Sequence, residues 1–321
     1  MSESTAANEL ELTRIYDASV EMVWDAWTDP DQVAQWWGPR GFTITTHSKD
    51  LRAGGSWIYT MHGPDGVDYP NSTKYFEVDT HHRLVYDHGG NDDRPPLFRV
   101  TVVFTDVGGR TRMDMRMTLP SPEAAQETKL FIKEAGGNST WDRLAEYLES
   151  ESSHRDVFVI NRTFDAAIDT VFDMWVDPRH LAHWLRPTGS TMRFITPDVR
   201  EGGSSVFAMS DGASSMYGRL AYVAIERPDR IVYTQQFCDE RGNISRYPVV
   251  PTWPETMLTT VILVAERPNR TRVTVTWEVC SAATREERET FSDAKGSMTQ
   301  GWTGSFDKLE EYLEEVHSGV A

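Results

Sequence analysis

Aromatic and sulfur side chains at alternating positions are the first feature of this sequence with chemical consequences. In SWIYTMH, Trp57, Tyr59 and Met61 fall on one face of a period-two segment, and in TRMDMRMT so do Met113, Met115 and Met117. Tyr86 and His88 alternate in LVYDH. The matching segments further along hold Phe207, Met209, Tyr233 and Trp277, while Met298 and Trp302 lie in KGSMTQGWTGSFDKL. Side chains of this kind either fill a core or line a hollow. Methionine adapts to irregular ligands and tyrosine adds a polar handle. His88 is either a satisfied histidine or one facing a hollow, where it would titrate near neutrality. The candidate ligand-binding residues are therefore Phe207, Met209, Tyr233, Trp277, Met298 and Trp302 in one set, with Trp57, Tyr59, Met61, Tyr86, Met113 and Met115 in the other.

Catalytic and metal chemistry finds less in the sequence. His81 and His82 precede RLVY and read as turn residues. His180 and His183 sit three apart, but no cysteine or carboxylate is spaced to complete a metal set. No GxGxxG or GxxxxGK phosphate loop, GxSxG elbow or HExxH motif occurs. No catalytic residue, metal ligand or cofactor is assigned. Cys238 and Cys280, the only two cysteines, make no disulfide framework and fit a reducing compartment, with a single bridge between them left open.

Positioning these residues requires a scaffold, and the chain holds that scaffold twice. RIYDASVEMVWDAWTDPDQVAQWWGP from Arg14 matches RTFDAAIDTVFDMWVDPRHLAHWLRP from Arg162 at an ungapped offset of 148 residues. Trp27/Trp175, Asp29/Asp177, Trp36/Trp184 and Pro39/Pro187 coincide, as do Gly54–Gly55 and Gly202–Gly203. RLVY matches RIVY, and WDRLAEYLES after Trp141 matches FDKLEEYLEE after Phe306. A period this long is a duplicated domain, spanning 1–150 and 155–321, with the hydrophilic ESESSHR (149–155) between the copies.

Each copy reads as a strand, two short helices, six strands and one long helix, over 121–149 in the first and 284–317 in the second. Ser19 is the expected N-cap of the first helix, and Asp29–Pro30 ends it and opens the next. VGGR and ERPNR are hairpin turns. The expected class is α+β, a one-sided antiparallel sheet around a long helix with a hollow between them. Gly296, Gly301 and Gly304 interrupt the second closing helix, and Gly136–Gly137 the first; each costs about 1 kcal/mol against alanine, which points to a bend or a close approach. Ser205 stands where the first copy has Trp57, and Val273 and Val275 where it has Met113 and Met115. On that ground the second hollow is expected to be the larger.

Composition narrows the partners. The chain has 321 residues and a net charge of −17, from 32 basic and 49 acidic side chains. The acidity is spread over both copies and argues for solubility, against nucleic acid and against anionic membrane surfaces. No apolar run reaches the roughly 20 residues of a membrane helix. The opening MSESTAANELELT lacks the basic and apolar regions of a signal peptide, so the expected location is the cytoplasm.

RxYDAxxxxVWDAWTDPDxxxxWWGP, the glycine pair before an aromatic strand and the closing-helix motif resemble the activator-of-heat-shock-protein-ATPase homologue (AHSA-type) family of the START-like (SRPBCC) superfamily. The second copy is similar but looser. The resemblance covers nearly the whole chain and implies two tandem helix-grip domains, each a seven-stranded antiparallel sheet around a C-terminal helix. It also implies a range of functions, from ligand carriage and enediyne-type self-resistance to polyketide cyclisation and co-chaperone activity. The expectation is a non-catalytic binder of a hydrophobic, aromatic or polycyclic small molecule, in natural-product biosynthesis or self-resistance. Two alternatives stay open. A cyclase or aromatase would place a polar pair with perturbed pKa values inside the hollow. A chaperone-interacting module would show a large exposed apolar patch and no sizeable cavity.

Overall fold

The computed structural model describes residues 6–90, 94–134, 139–153, 156–186, 189–280 and 282–318. Pro187 and Gly136–Gly137 lie outside the described residues. The chain divides into two units, Met1–His154 and Arg155–Ala321.

Unit 1 runs β1 (Glu9–Tyr16), α1 (Val20–Thr28), α2 (Pro30–Trp36), β2 (Thr43–Lys49), β3 (Ser56–His62), β4 (Asp68–Asp79), β5 (Arg83–Gly90), β6 (Phe98–Asp106), β7 (Thr111–Thr118), α3 (Pro122–Glu134) and α4 (Ser139–Ser153). Unit 2 repeats the order as β8 (Val157–Phe164), α5 (Ile168–Val176), α6 (Pro178–Trp184), β9 (Thr191–Thr196), β10 (Ser204–Ser210), β11 (Ser215–Glu226), β12 (Arg230–Cys238), β13 (Met257–Arg267), β14 (Arg270–Val279), α7 (Arg285–Asp293) and α8 (Lys295–Ser318). Each unit has a seven-stranded antiparallel sheet, ordered β1-β7-β6-β5-β4-β3-β2 and β8-β14-β13-β12-β11-β10-β9. The class is α+β, two tandem helix-grip domains. In both sheets the register skips one residue at matched positions, Tyr75/Glu77 and Tyr222/Ala224. Such bulges bend a strand and help the sheet curve.

The shared sequence positions are the joints of this scaffold. Asp29 caps α2 through Asp31 N and Gln32 N, and Asp177 caps α6 through Arg179 N, whereas Ser19, which accepts from Met22 N, is matched by Ala167 with no side-chain cap. Trp36 Nε1 donates to Ala26 O at 2.9 Å and Trp184 Nε1 to Met174 O at 3.0 Å, tying the two short helices together in each unit. Arg14 joins β1 to α4 through Asp142 at 3.0 Å, and Arg162 joins β8 to α8 through Asp307 at 2.5 Å. A Cβ at Gly55 would stand 2.1 Å from Asp50 O, and one at Gly203 2.4 Å from Asp198 O, which explains the repeated glycine.

Three expectations are corrected. The closing segment of unit 2 is two helices; the break falls at Ala294, before the glycines, and α8 runs unbroken through Gly296, Gly301 and Gly304. Added Cβ atoms at Gly296 and Gly301 would meet nothing within 4 Å, so no close approach requires these two glycines. The hydrophilic stretch after Glu149 is helical to Ser153, because α4 continues beyond its last apolar contact.

Candidate functional site

In unit 1 a hollow of about 880 Å³ lies between the concave sheet face and the helices. Its walls come from β3 (Met61), β5 (Tyr86, His88), β6 (Phe98, Val100), β7 (Met115, Met117), α3 (Ala124, Ile132), the loop after α2 (Trp37, Gly38, Pro39, Phe42) and Trp141 of α4. Period-two alternation delivers this lining, because inward residues of one strand recur at every second position.

Of the first copy's candidates, Met61, Tyr86 and Met115 line the hollow, joined by Met117 and His88. Trp57, Tyr59 and Met113 are fully packed and are not in its lining. Trp57 stacks on Tyr59 at 4.0 Å, meets Trp37 at 5.3 Å and donates from Nε1 to Thr46 Oγ1 at 3.1 Å. Lys49 Nζ sits 4.2 Å over the Trp57 ring and donates to Trp27 O at 3.0 Å; burial pushes its pKa down to about 7.

A short polar chain reaches the hollow from behind. Trp37 Nε1 donates to Tyr59 Oη at 3.3 Å, and that hydroxyl lies 3.5 Å from His88 Nδ1. The His88 ring stacks on Phe98 at 5.0 Å. Burial, then the positive charge of Arg94, pushes the His88 pKa down to about 4, not near neutrality as expected. Burial also raises the Tyr59 phenol well above its ordinary value. Both groups are held neutral at pH 7.

Sequence reasoning missed the residue that shapes the wall, Arg143 of α4. Its Nη1 donates to the carbonyls of Trp37, Gly38, Pro39 and Phe42 at 2.9–3.4 Å, and its Nη2 to Gln35 O at 3.1 Å. The loop turns at Gly38, where φ is +94° and a Cβ would meet Met61 at 2.9 Å. Arg40, two residues on, pairs with Glu146 at 2.6 Å. A guanidinium suits this task because its fixed fork presents several donors at once. In unit 2 the matched residue is Lys308, which makes one such bond, to Arg186 O at 2.6 Å.

Unit 2 has its own hollow, and Phe207, Met209, Tyr233, Trp277, Met298 and Trp302 all line it. Its volume is about 260 Å³, so the expectation that the second hollow is larger is overturned. Trp277 stands at the position of Met117, and Trp302 at that of Gly137; the two indoles meet at 5.6 Å. The long β12–β13 connection adds Trp253, packed on Phe291 at 5.9 Å and anchored by an Arg246–Glu287 ion pair and a Thr290–Thr252 hydrogen bond of 3.0 Å. Ser205 leaves no vacancy in the lining: its Oγ is buried and accepts from Asp198 N at 2.9 Å. At the positions of Tyr59 and His88 this unit has Phe207 and Gln235, so the polar chain is absent.

The histidine pair on α6 is engaged by one tyrosine. His180 Nδ1 is 2.8 Å from Tyr312 Oη, and His183 stacks on that ring at 4.7 Å. Among the described residues no three metal-binding side chains converge, and no helix is long and apolar enough to cross a membrane.

A family model described as Activator of Hsp90 ATPase homolog 1-like protein matches residues 17–149 and again 165–314. Among solved structures, protein Ms6760 from Mycobacterium smegmatis is 28% identical over 45% of this chain and 93% of its own, with a TM-score of 0.41. A protein from Arthrobacter aurescens is 26% identical over 47% of this chain and 91% of its own, with a TM-score of 0.42. The di-domain ARO/CYC BexL from the BE-7585A biosynthetic pathway aligns over 94% of this chain and 97% of its own at 13% identity, with a TM-score of 0.38. No curated protein matches the chain.

Proposed function

The chain belongs to the Activator of Hsp90 ATPase homolog 1-like family over both halves, and from that premise we propose that it binds an apolar, aromatic or polycyclic small molecule, chiefly in unit 1. The observation behind this reading is the hollow of about 880 Å³ walled by aromatic and methionine side chains. That volume falls within the roughly 300–1,000 Å³ of small-molecule sites, whereas the 260 Å³ of unit 2 falls below it. A hollow of this size also weighs against a purely chaperone-interacting module.

Binding without chemistry is favoured by the protonation states. General acid–base catalysis works best with a pKa near the working pH. His88 is pushed down to about 4 and Tyr59 upward, so at neutral pH one is a weak base and the other a weak acid. A role in natural-product biosynthesis or self-resistance in the cytoplasm is part of the proposal; the two free cysteines fit a reducing compartment. The second reading, a cyclase or aromatase, draws on the Tyr59–His88 pair itself.

The test is titration of polycyclic aromatics followed by chemical-shift mapping, with native mass spectrometry of protein from its own host. Shifts centred on Tyr86, His88, Met115 and Met117 are expected. Shifts confined to residues 156–318 would move the site to unit 2, and turnover abolished by His88→Gln would favour the enzyme.

A further inference from the structure

Arg94 lines the unit 1 hollow while keeping a face to water. Its Nε donates to Gly89 O at 3.0 Å and its Nη2 reaches Asn71 Oδ1 at 3.5 Å. Both acceptors are neutral. Among the described residues no carboxylate forms an ion pair with Arg94, in a chain with 49 acidic side chains to 32 basic ones. An arginine beside an apolar hollow, bonded among the described residues to a backbone carbonyl and an amide, has N–H donors beyond those two bonds.

The other titratable groups around the hollow sharpen this. His88 is kept neutral by burial and by Arg94, so it adds hydrogen-bonding capacity without a second charge. Glu127 of α3 is the one carboxylate among the described lining residues, and it is exposed and not paired with Arg94. The Tyr69 hydroxyl is already spent on Asp65 at 3.1 Å. Arg94 is thus the one cation among the described lining residues and stands close enough to His88 to hold its pKa down, Glu127 is the one carboxylate, and the rest of the described wall is mostly apolar with a few neutral polar side chains.

Resting on the binding reading above, we infer that the unit 1 hollow selects amphipathic organic anions, molecules with an aromatic body and one carboxylate, sulfonate or phenolate group, with Arg94 as the counter-charge. The apolar body is buried among Phe98, Met115 and Met117, and the anionic group stays at Arg94, where it keeps part of its hydration. This arrangement avoids the cost of taking a charge fully out of water.

The experiment compares 1-pyrenebutyrate with 1-pyrenebutanol, which share one apolar body and differ in charge, on the full chain. Binding is read at the His88 ring resonances, because the matched position in unit 2 is Gln235. Butyrate is expected to bind about five- to tenfold tighter than the alcohol at low salt, the advantage shrinking toward 0.5 M salt. Arg94→Lys should keep much of that advantage and Arg94→Gln should remove it, read as the ratio of the two probes' affinities within each variant; Glu127→Gln should increase it. Equal affinities in the wild type, or an undiminished advantage in Arg94→Gln, would overturn the charge selection and leave the binding reading standing. If neither probe perturbs His88, the binding reading fails as well.

Discussion

Units 1 and 2 share most joints of the scaffold and differ in what stands in and behind the wall of the hollow. Trp36 and Trp184 make the same hydrogen bond, and Thr111 and Thr271 each donate to a carbonyl, of Ala18 and Ala166, at 2.8 Å. Against that constancy, Tyr59 becomes Phe207, His88 becomes Gln235, Met117 becomes Trp277 and Arg143 becomes Lys308. A few positions in and behind the wall change volume and polarity while the fold stays as it was. The duplicated scaffold therefore provides an internal control, in which each unit supplies the residues for a test of the other.

The largest expected difference concerns the buried ion pair. The Arg14 and Asp142 side chains are each 1% exposed, whereas their counterparts Arg162 and Asp307 are 11% and 46% exposed, with Glu310 also 3.9 Å from Arg162. Asp142→Ala leaves a buried guanidinium without its carboxylate and should destabilise unit 1 by about 3–5 kcal/mol. Asp307→Ala should cost unit 2 about 1 kcal/mol or less. Urea unfolding followed at amides of each unit checks this, and equal losses would erase the distinction.

Next comes pH. His88 has its folded pKa lowered to about 4 from 6.5, so between those values the unfolded chain binds a proton that the folded unit 1 refuses. Unit 1 should therefore lose stability as pH falls from about 6.5 to 4, by about 2 kcal/mol after allowance for solvent screening. His88→Gln, which installs the residue of unit 2, should flatten that slope. An unchanged slope would assign it to other groups.

A smaller effect is expected from exchanging the walls. Met117→Trp should shrink the unit 1 hollow and weaken binding of a polycyclic probe by about tenfold, close to 1.4 kcal/mol. Trp277→Met should open the unit 2 hollow. If both hollows bind the probe as before, volume is not what separates them. The smallest effect belongs to Arg143→Lys, which gives unit 1 the single-point tie of unit 2. About 1 kcal/mol of stability should be lost, with raised hydrogen exchange confined to the loop at residues 37–42.

The fold was legible because its signals are local and repeated. Ser19 and Asp29 announce helix starts, Met113, Met115 and Met117 one strand face, and the 148-residue offset the duplication. The same alternation brought Phe207, Met209, Tyr233 and Trp277 to one hollow, where α8 adds Met298 and Trp302. Volume was not legible, because it sums over every wall. Weighing Ser205 and the valines of β14 against unit 1 left out Trp277, Trp302 and the Trp253 loop, which act in the opposite direction. Trp57, Tyr59 and Met113 face the right side of the sheet but are fully packed, Trp57 and Tyr59 against Trp37 and Lys49. Arg94 and Arg143 resembled ordinary surface charges, since nothing in their neighbourhood reveals which carbonyls or cavities they meet. For Arg143 the available sign was its replacement by Lys308 in an otherwise matched helix.

The five carbonyls gathered by Arg143 bear on time as well as on shape. They belong to Gln35, Trp37, Gly38, Pro39 and Phe42, and four of these residues also wall the hollow. A wall tied through one guanidinium depends for its order on a single side chain, whose few N–H groups are shared among these carbonyls. For the ligand proposed for unit 1, this makes Arg143, which is not itself in the lining, the side chain through which its time in the hollow would be altered.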